Sequence, residues 1–160
     1  MIFRPNITAS PKLLKMNNGE AVYTGASVMI MPVNGTITSN FGEREKPSEA
    51  GVNELHTGLD IAGDEGTPIK AALDGIVSKL EENNTLGRAV IIKHANGIET
   101  LYGHCSEILV TENDTVRQGD YIAKIGHTGN ATAPHIHFEV LINGKPVDPL
   151  SVIGGIYEQK

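Results

Sequence analysis

A chain of 160 residues has room for one domain built on one hydrophobic core. Its 39% apolar and 20% charged residues lie near globular averages, which excludes a disordered polymer and a coiled coil. A formal charge of −6 with no run of Lys or Arg repels a phosphate backbone, so no nucleic-acid partner is expected.

Residues 1–27 are polar and interrupted by Pro5, Pro11, Asn17-Asn18-Gly19 and Gly25, and they read as an irregular arm or linker. The opening MIFRPNITASPKLLK lacks the apolar stretch of a signal peptide, and the apolar run 28–33 is far too short to span a bilayer. From Val28 the texture changes to short apolar runs closed by turn residues. Strands are predicted at 28–31, 35–41, 59–62, 69–72, 76–80, 89–93, 98–102, 121–125, 137–142 and near 145–147, where Val, Ile, Thr and Tyr dominate. Asn96-Gly97 and Asn143-Gly144 are strong hairpin turns, and Asp74-Gly75 and Gly119-Asp120 mark further reversals. The best helical stretch, 106–110, is one turn at most. With 18 Gly and 8 Pro, 26 of 160 residues punctuate the chain, as many short strands require. The expected architecture is mainly β: an antiparallel sheet or sandwich-like domain over 28–153 with very little helix, followed by a tail at 154–160.

Cys105 is the only cysteine, so the chain has no internal disulfide and no thiolate metal cluster. It follows His104, but neighbours on a strand face opposite ways, which disfavours a cysteine-protease pair.

Six histidines stand at 56, 94, 104, 127, 135 and 137. His135-Ile136-His137 opens a strand of alternating pattern, where residues two apart share a face at roughly 6.5–7 Å. Both imidazoles therefore point to one site while Ile136 faces the core. Two neutral imidazoles side by side need a cation or a hydrogen-bonding group between them, and zinc supplies one. In His56-Thr57-Gly58-Leu59-Asp60 the glycine disfavours a helix, and a straight strand would hold His56 and Asp60 about 13 Å apart. A bend at Gly58 is therefore expected, bringing the two together. Two histidines and a carboxylate are the donor set of a catalytic zinc with one position open. His104 ends the stretch 101–104 and is not needed for the fold. His94 and His127 read as solvated loop or strand-edge residues, and Tyr102 and Phe138 as packing.

HTGLD, YGH and PHIHFE, in this order, resemble the lysostaphin/LytM-type zinc endopeptidases that cut peptidoglycan cross-links. ITSNFGER, GTPIKAALDGIV, VIIKHANGIETLYGH, VRQGDYIAKIG and GKPVDP match as well, so the resemblance runs from about residue 32 to residue 150. It implies a β-sheet crossed by an open groove that carries the metal site. It implies that His56, Asp60 and His137 bind zinc and that His104 and His135 are catalytic histidines. His135 then moves the proton to the leaving amine, and His104 holds the attacking water or the developing oxyanion.

The activity implied is that of a zinc-dependent metalloendopeptidase, a hydrolase of peptidoglycan peptides. Its place would be the cell wall, outside the cytoplasm, whether secreted, phage-delivered or as the ectodomain of an anchored protein. A monomer is expected. Two departures stand out: 47–55 contains no tyrosine where some relatives carry one that steadies the oxyanion, and Ala131 and Ala133 replace common Ser/Thr and Gly. One alternative is a catalytically silent relative that binds wall or a partner protein as an adaptor. VRQGDYIAKIG also resembles a biotinyl/lipoyl carrier segment, but Lys79, Lys93 and Lys124 fall inside strand-like runs rather than at a hairpin tip. Glycine-bridge and D-Ala cross-link specificity both stay open, since the choice lies in loops 43–55, 83–88 and 127–134.

Overall fold

The computed structural model describes residues 29–154 with their side chains, and beyond them only the backbone pairing of four short strands. In chain order the strands begin with β1 (Lys12–Asn17), β2 (Glu20–Thr24), β3 (Ser27–Val28), β4 (Thr36–Ser39), β5 (Gly42–Glu45), β6 (Asn53–His56), β7 (Leu59–Ala62) and β8 (Pro68–Lys70). They continue with β9 (Gly75–Asn83), β10 (Gly87–Lys93), β11 (Ile98–Ile108), β12 (Thr115–Val116), β13 (Tyr121–Ile125), β14 (His135–Ile142), β15 (Lys145–Val147) and β16 (Ile156–Tyr157). Helix among the described residues is confined to two 3-10 turns, Ala95–Gly97 and Pro149–Ser151. None is long and apolar enough to cross a membrane.

One ten-stranded antiparallel sheet carries the molecule, in the order β12-β9-β10-β11-β14-β7-β4. From this path β13 branches off β11 to pair with β8, and β15 pairs with β14. β5 and β6 form a separate ribbon, as do β1 with β2 and β3 with β16. The mainly β expectation holds, and β7, β13 and β15 occupy the predicted bounds.

Three local expectations change. The arm read as irregular contains the antiparallel strands β1 and β2, with Leu13 opposite Tyr23. The remaining residues of the arm and of the tail lie outside the described residues. The ribbon β5–β6 was not predicted, because GERE and NELH are short and show no apolar alternation. Residues 106–110 are not a helical turn: β11 runs on to Ile108 because its second half finds a new partner in β13.

That change of partner matters for the site. The first half of β11, through Gly103, pairs with β14, and Cys105 onward pairs with β13. On the β10 side, Tyr102 opposes Val90 but Cys105 opposes Arg88, so β11 holds one extra residue there. This is a β-bulge, and it places His104 at φ 65°.

The core forms where alternate positions of the strands meet. Leu59, Ile61, Val90, Ile92, Tyr102, Ile122, Ile125, Ile136, Phe138 and Val140 are fully buried. Tyr102 and Phe138 face each other across β11 and β14 with ring centroids 5.4 Å apart, and such a buried ring contributes about 1.5–3 kcal/mol. The opposite phase of β14 sends His135, His137 and Glu139 to the other face.

His94 is not solvated; it is half-buried at the end of a hydrogen-bond chain. Its Nδ1 lies 2.6 Å from the Asp74 carbonyl and its Nε2 2.7 Å from Thr100 Oγ1. Thr100 Oγ1 is 2.7 Å from the Tyr102 hydroxyl, which accepts the Ala72 N–H at 3.0 Å. The two ends settle every proton, since a carbonyl only accepts and an amide only donates. Nδ1 donates to Asp74, Thr100 donates to Nε2, and Tyr102 donates to Thr100. Burial lowers the His94 pKa from 6.5 to about 4. Protonating Nε2 would reverse the chain and turn the Tyr102 hydroxyl proton toward the Ala72 N–H, with no acceptor. Between these two values the unfolded chain binds the proton and the folded one does not. Stability is therefore full above pH 6.5 and falls by about 2–3 kcal/mol as the pH drops toward 4. Urea unfolding at pH 7, 5 and 4 should show this loss, and His94→Gln should flatten that part of the slope. An unchanged slope in the variant would refute the assignment.

Candidate active site

The register of the sheet sets Asp60 of β7 opposite His137 of β14, and Gly103 of β11 opposite His137 on its other side. His56 ends β6, and Thr57-Gly58 turns the chain back into β7. The two ends of HTGLD meet, with His56 Nε2 3.3 Å from Asp60 Oδ1. The expected bend is present, but its reason is different. Gly58 is absent from the residues with positive φ, so it needs no backbone freedom special to glycine. It needs space: a Cβ there would stand 2.6 Å from the Phe138 carbonyl oxygen and 2.9 Å from His137 Cε1.

Three donor atoms converge. His137 Nδ1 is 3.0 Å from Asp60 Oδ1, and His56 Nε2 is 3.3 Å from both His137 Nδ1 and Asp60 Oδ1. Tetrahedral zinc with bonds of about 2.0–2.1 Å separates its ligand atoms by about 3.3 Å, so this triangle has the required size. The outer nitrogens are already engaged. His56 Nδ1 donates to the Asn40 carbonyl at 2.9 Å, and His137 Nε2 donates to Glu139 Oε2 at 3.1 Å. In their neutral forms both rings would turn an unprotonated nitrogen toward the other and toward a carboxylate, an arrangement that calls for a proton or a metal cation between them.

The electrostatics agree. Burial opposes charge on His137, yet the hydrogen bonds with Asp60 and Glu139 prevail and raise its pKa to about 9. Burial likewise opposes the Asp60 carboxylate, but His137 and His56 hold its pKa far below the usual range. A proton on His137 answers the same pull that a metal cation would. The donor set fits zinc.

His104 and His135 stand beside this triangle. Their ring centroids are 4.7 Å apart, and His104 lies 6.3 Å from His137. The bulge holds His104 in the left-handed region, its N–H donating to the Leu86 carbonyl at 2.7 Å. Such a conformation in a non-glycine residue costs about 1 kcal/mol or more. His104 Nδ1 donates to the Thr128 carbonyl at 2.7 Å, and His135 Nδ1 donates to the Ala133 carbonyl at 2.8 Å. Nε2 of each is thus left as a proton acceptor; that of His135 lies 3.9 Å from Asp60 Oδ1. Burial pushes the His104 pKa below its ordinary value, so the ring is neutral at pH 7.

All five residues singled out in the sequence come together: His56, Asp60, His104, His135 and His137. The outer partners Asn40, Glu139, Thr128 and Ala133 were missed, and so was Arg44, whose Nη1 is 3.5 Å from Asp60 Oδ2. Glu139 was legible, being the next residue on the face of His135 and His137. Asn40, Thr128 and Ala133 act through backbone carbonyls, which no side-chain pattern reveals; alanine at 133 suffices for the same reason. Tyr102 is fully buried in the His94 chain, so it does not replace the tyrosine missing from 47–55. Cys105 faces the core, where burial raises its pKa to about 12, and it makes no pair with His104. His127 is exposed, as expected, and its Nδ1 lies against a carboxylate oxygen of Glu65. A cavity of about 500 Å³ is lined by Glu82, Asn83, Arg88 and Thr128, the last of which holds His104 through its carbonyl.

Residues 54–149, more than half of the chain, match peptidase family M23. The chain is 46% identical over 116 residues to the DD-carboxypeptidase/endopeptidase Mpg of Neisseria meningitidis serogroup B, covering 72% of this chain and 26% of Mpg. It thus spans about a quarter of the length of that curated relative. A crystal structure of a zinc-containing peptidase from Vibrio cholerae superposes with a TM-score of 0.73 at 33% identity, over 86% of this chain and 44% of that one. The catalytic domain of lysostaphin from Staphylococcus simulans superposes with a TM-score of 0.66 at 28% identity, over 74% of this chain and 91% of that one. With the family match spanning β6 to the Asp148-Pro149 turn, and so all five of these residues, the chain belongs to peptidase family M23.

Proposed function

We propose that this chain is the catalytic domain of a zinc metalloendopeptidase that hydrolyses peptide cross-links of bacterial peptidoglycan. The observation that carries the reading is the orientation of four imidazoles. Each has one ring nitrogen on a fixed oxygen, and the other nitrogens of His137, His56 and His135 lie 3.0, 3.3 and 3.9 Å from Asp60 Oδ1. His56, Asp60 and His137 would hold the zinc, which when bound supplies a Lewis acid that acidifies water toward a pKa of about 7 and polarises a carbonyl. His135 Nε2 accepts the proton of the attacking water and returns it to the leaving amine. His104, neutral and with Nδ1 already donating, has only an acceptor to offer. It orients the water rather than donating to the oxyanion.

D-alanine cross-links are the favoured target over glycine bridges, since the 46% identical relative bears a DD-carboxypeptidase/endopeptidase name and lysostaphin is more distant at 28%. The walls that would read the substrate include the Glu82–Arg88 side of the cavity. All five residues come from one chain, so one copy suffices to build the site. Their joint presence also weighs against the adaptor alternative. Lys79, Lys93 and Lys124 lie within β9, β10 and β13, not at a hairpin tip, which weighs against the carrier.

The test is a mass-spectrometric digest of sacculi with direct or glycine-bridged cross-links, using zinc-loaded protein. Loss of directly cross-linked dimers, stopped by a chelator and restored by zinc, is the expected result. Stoichiometric zinc without cleavage of either wall would overturn the enzyme reading and favour the adaptor.

A further inference from the structure

We propose that Arg44 is a positioning residue that pins one oxygen of Asp60, so that the carboxylate offers only the other to the cation. The inference rests on the metal reading above. The β5–β6 ribbon stands apart from the ten-stranded sheet, and its register places Arg44 opposite Glu54, on the strand beside His56.

The two oxygens of Asp60 have separate neighbours. Oδ1 faces His137 at 3.0 Å, His56 at 3.3 Å and His135 at 3.9 Å. Oδ2 faces Arg44 Nη1 at 3.5 Å, a charge contact rather than a hydrogen bond. The same Nη1 donates to Ser39 Oγ at 2.7 Å, and that hydroxyl lies 3.4 Å from His56 Nδ1. One guanidinium thus reaches the carboxylate donor directly and an imidazole donor through Ser39. Its Nη2 is 3.7 Å from Glu54 Oε1, so Glu54 offsets the positive charge beside a cation site while Nη1 stays against Oδ2.

A role in stability alone does not account for this residue. Arg44 Nε is buried and has no hydrogen-bond partner among the described residues, an arrangement that works against the fold. A half-exposed ion pair such as Arg44–Glu54 returns little. Without the guanidinium the carboxylate can swing and bring both oxygens to the metal, filling the position a catalytic zinc keeps open. Lysine is a poor substitute, because one ammonium cannot reach Asp60, Ser39 and Glu54 together.

Zinc affinity by chelator competition, and the absorption spectrum of the cobalt-substituted protein, test this on Arg44→Met and Arg44→Lys. Arg44→Met should bind zinc about 10–100-fold more weakly, with a cobalt spectrum shifted toward higher coordination. Arg44→Lys should recover only part of that loss while its metal-free thermal midpoint stays near wild type. If Arg44→Met fails to fold, Arg44→Lys decides alone. Wild-type zinc affinity and cobalt spectrum in the folded variants would overturn the proposal, whatever happened to their thermal midpoints. A wild-type protein that binds no zinc would instead bring down the metal reading beneath it.

Discussion

Alanine at Asp60 should remove zinc and activity together, whereas alanine at His135 should keep the metal and lower kcat by about 10²–10⁴-fold. The two side chains touch the same space but hold different posts. Asp60 Oδ1 closes the donor triangle within 3.3 Å of both His56 Nε2 and His137 Nδ1, and it is the triangle's only anionic member. Deleting it leaves two unprotonated imidazole nitrogens facing each other with nothing to draw a cation in. His135 stands 3.9 Å from that oxygen, outside the triangle, with its Nδ1 committed to the Ala133 carbonyl. Its removal costs the proton acceptor and leaves the three donors in place. Zinc content by mass spectrometry of the intact protein, set beside turnover on a cross-linked peptide, separates the cases. A His135→Ala enzyme with near-wild-type turnover would end the assignment of that proton to His135.

Gly58→Ala should damage the fold and the donor triangle together. The added Cβ would stand 2.6 Å from the Phe138 carbonyl oxygen, 2.9 Å from Glu139 Cγ and 2.9 Å from His137 Cε1. Phe138 pairs with Leu59 in the β14–β7 ladder, so its carbonyl cannot yield without opening the register that sets His137 opposite Asp60. The backbone gives way instead, at a cost of about 1–3 kcal/mol, and the imidazole is pushed from its place. Chemical denaturation and zinc titration of the variant should both register the change. Wild-type values in both would mean that the Gly58 turn is free to move outward.

Gly58 also shows how a correct expectation can rest on the wrong cause. The sequence calls for a bend between His56 and Asp60 because a straight strand keeps them apart, and the bend is there. Glycine's backbone freedom was the inferred reason; the actual one is a close pass beneath β14, a contact between residues about 80 positions apart. The strand-to-strand fork is a similar case. Alternation through 98–102 is readable, but the extra residue in β11 appears only when its partners change from β14 to β13. The bulge follows from that exchange, and with it the unusual φ of His104.

What the sequence determined by itself was chemical identity and local rhythm. It named two imidazoles sharing a strand face, a second His–Asp pair needing a turn, a further histidine at a strand end, and the short apolar runs of an antiparallel sheet. Those follow from residue type and from a period of two, which are local properties. Tertiary structure alone decided the rest: which nitrogen of each ring is bare, which oxygen of Asp60 faces Arg44, and whether His94 meets water or Thr100. Each of these depends on a carbonyl or side chain brought up by a distant strand. Hydrogen-bond direction is set by distance and angle to that partner, and no spacing along the chain encodes it.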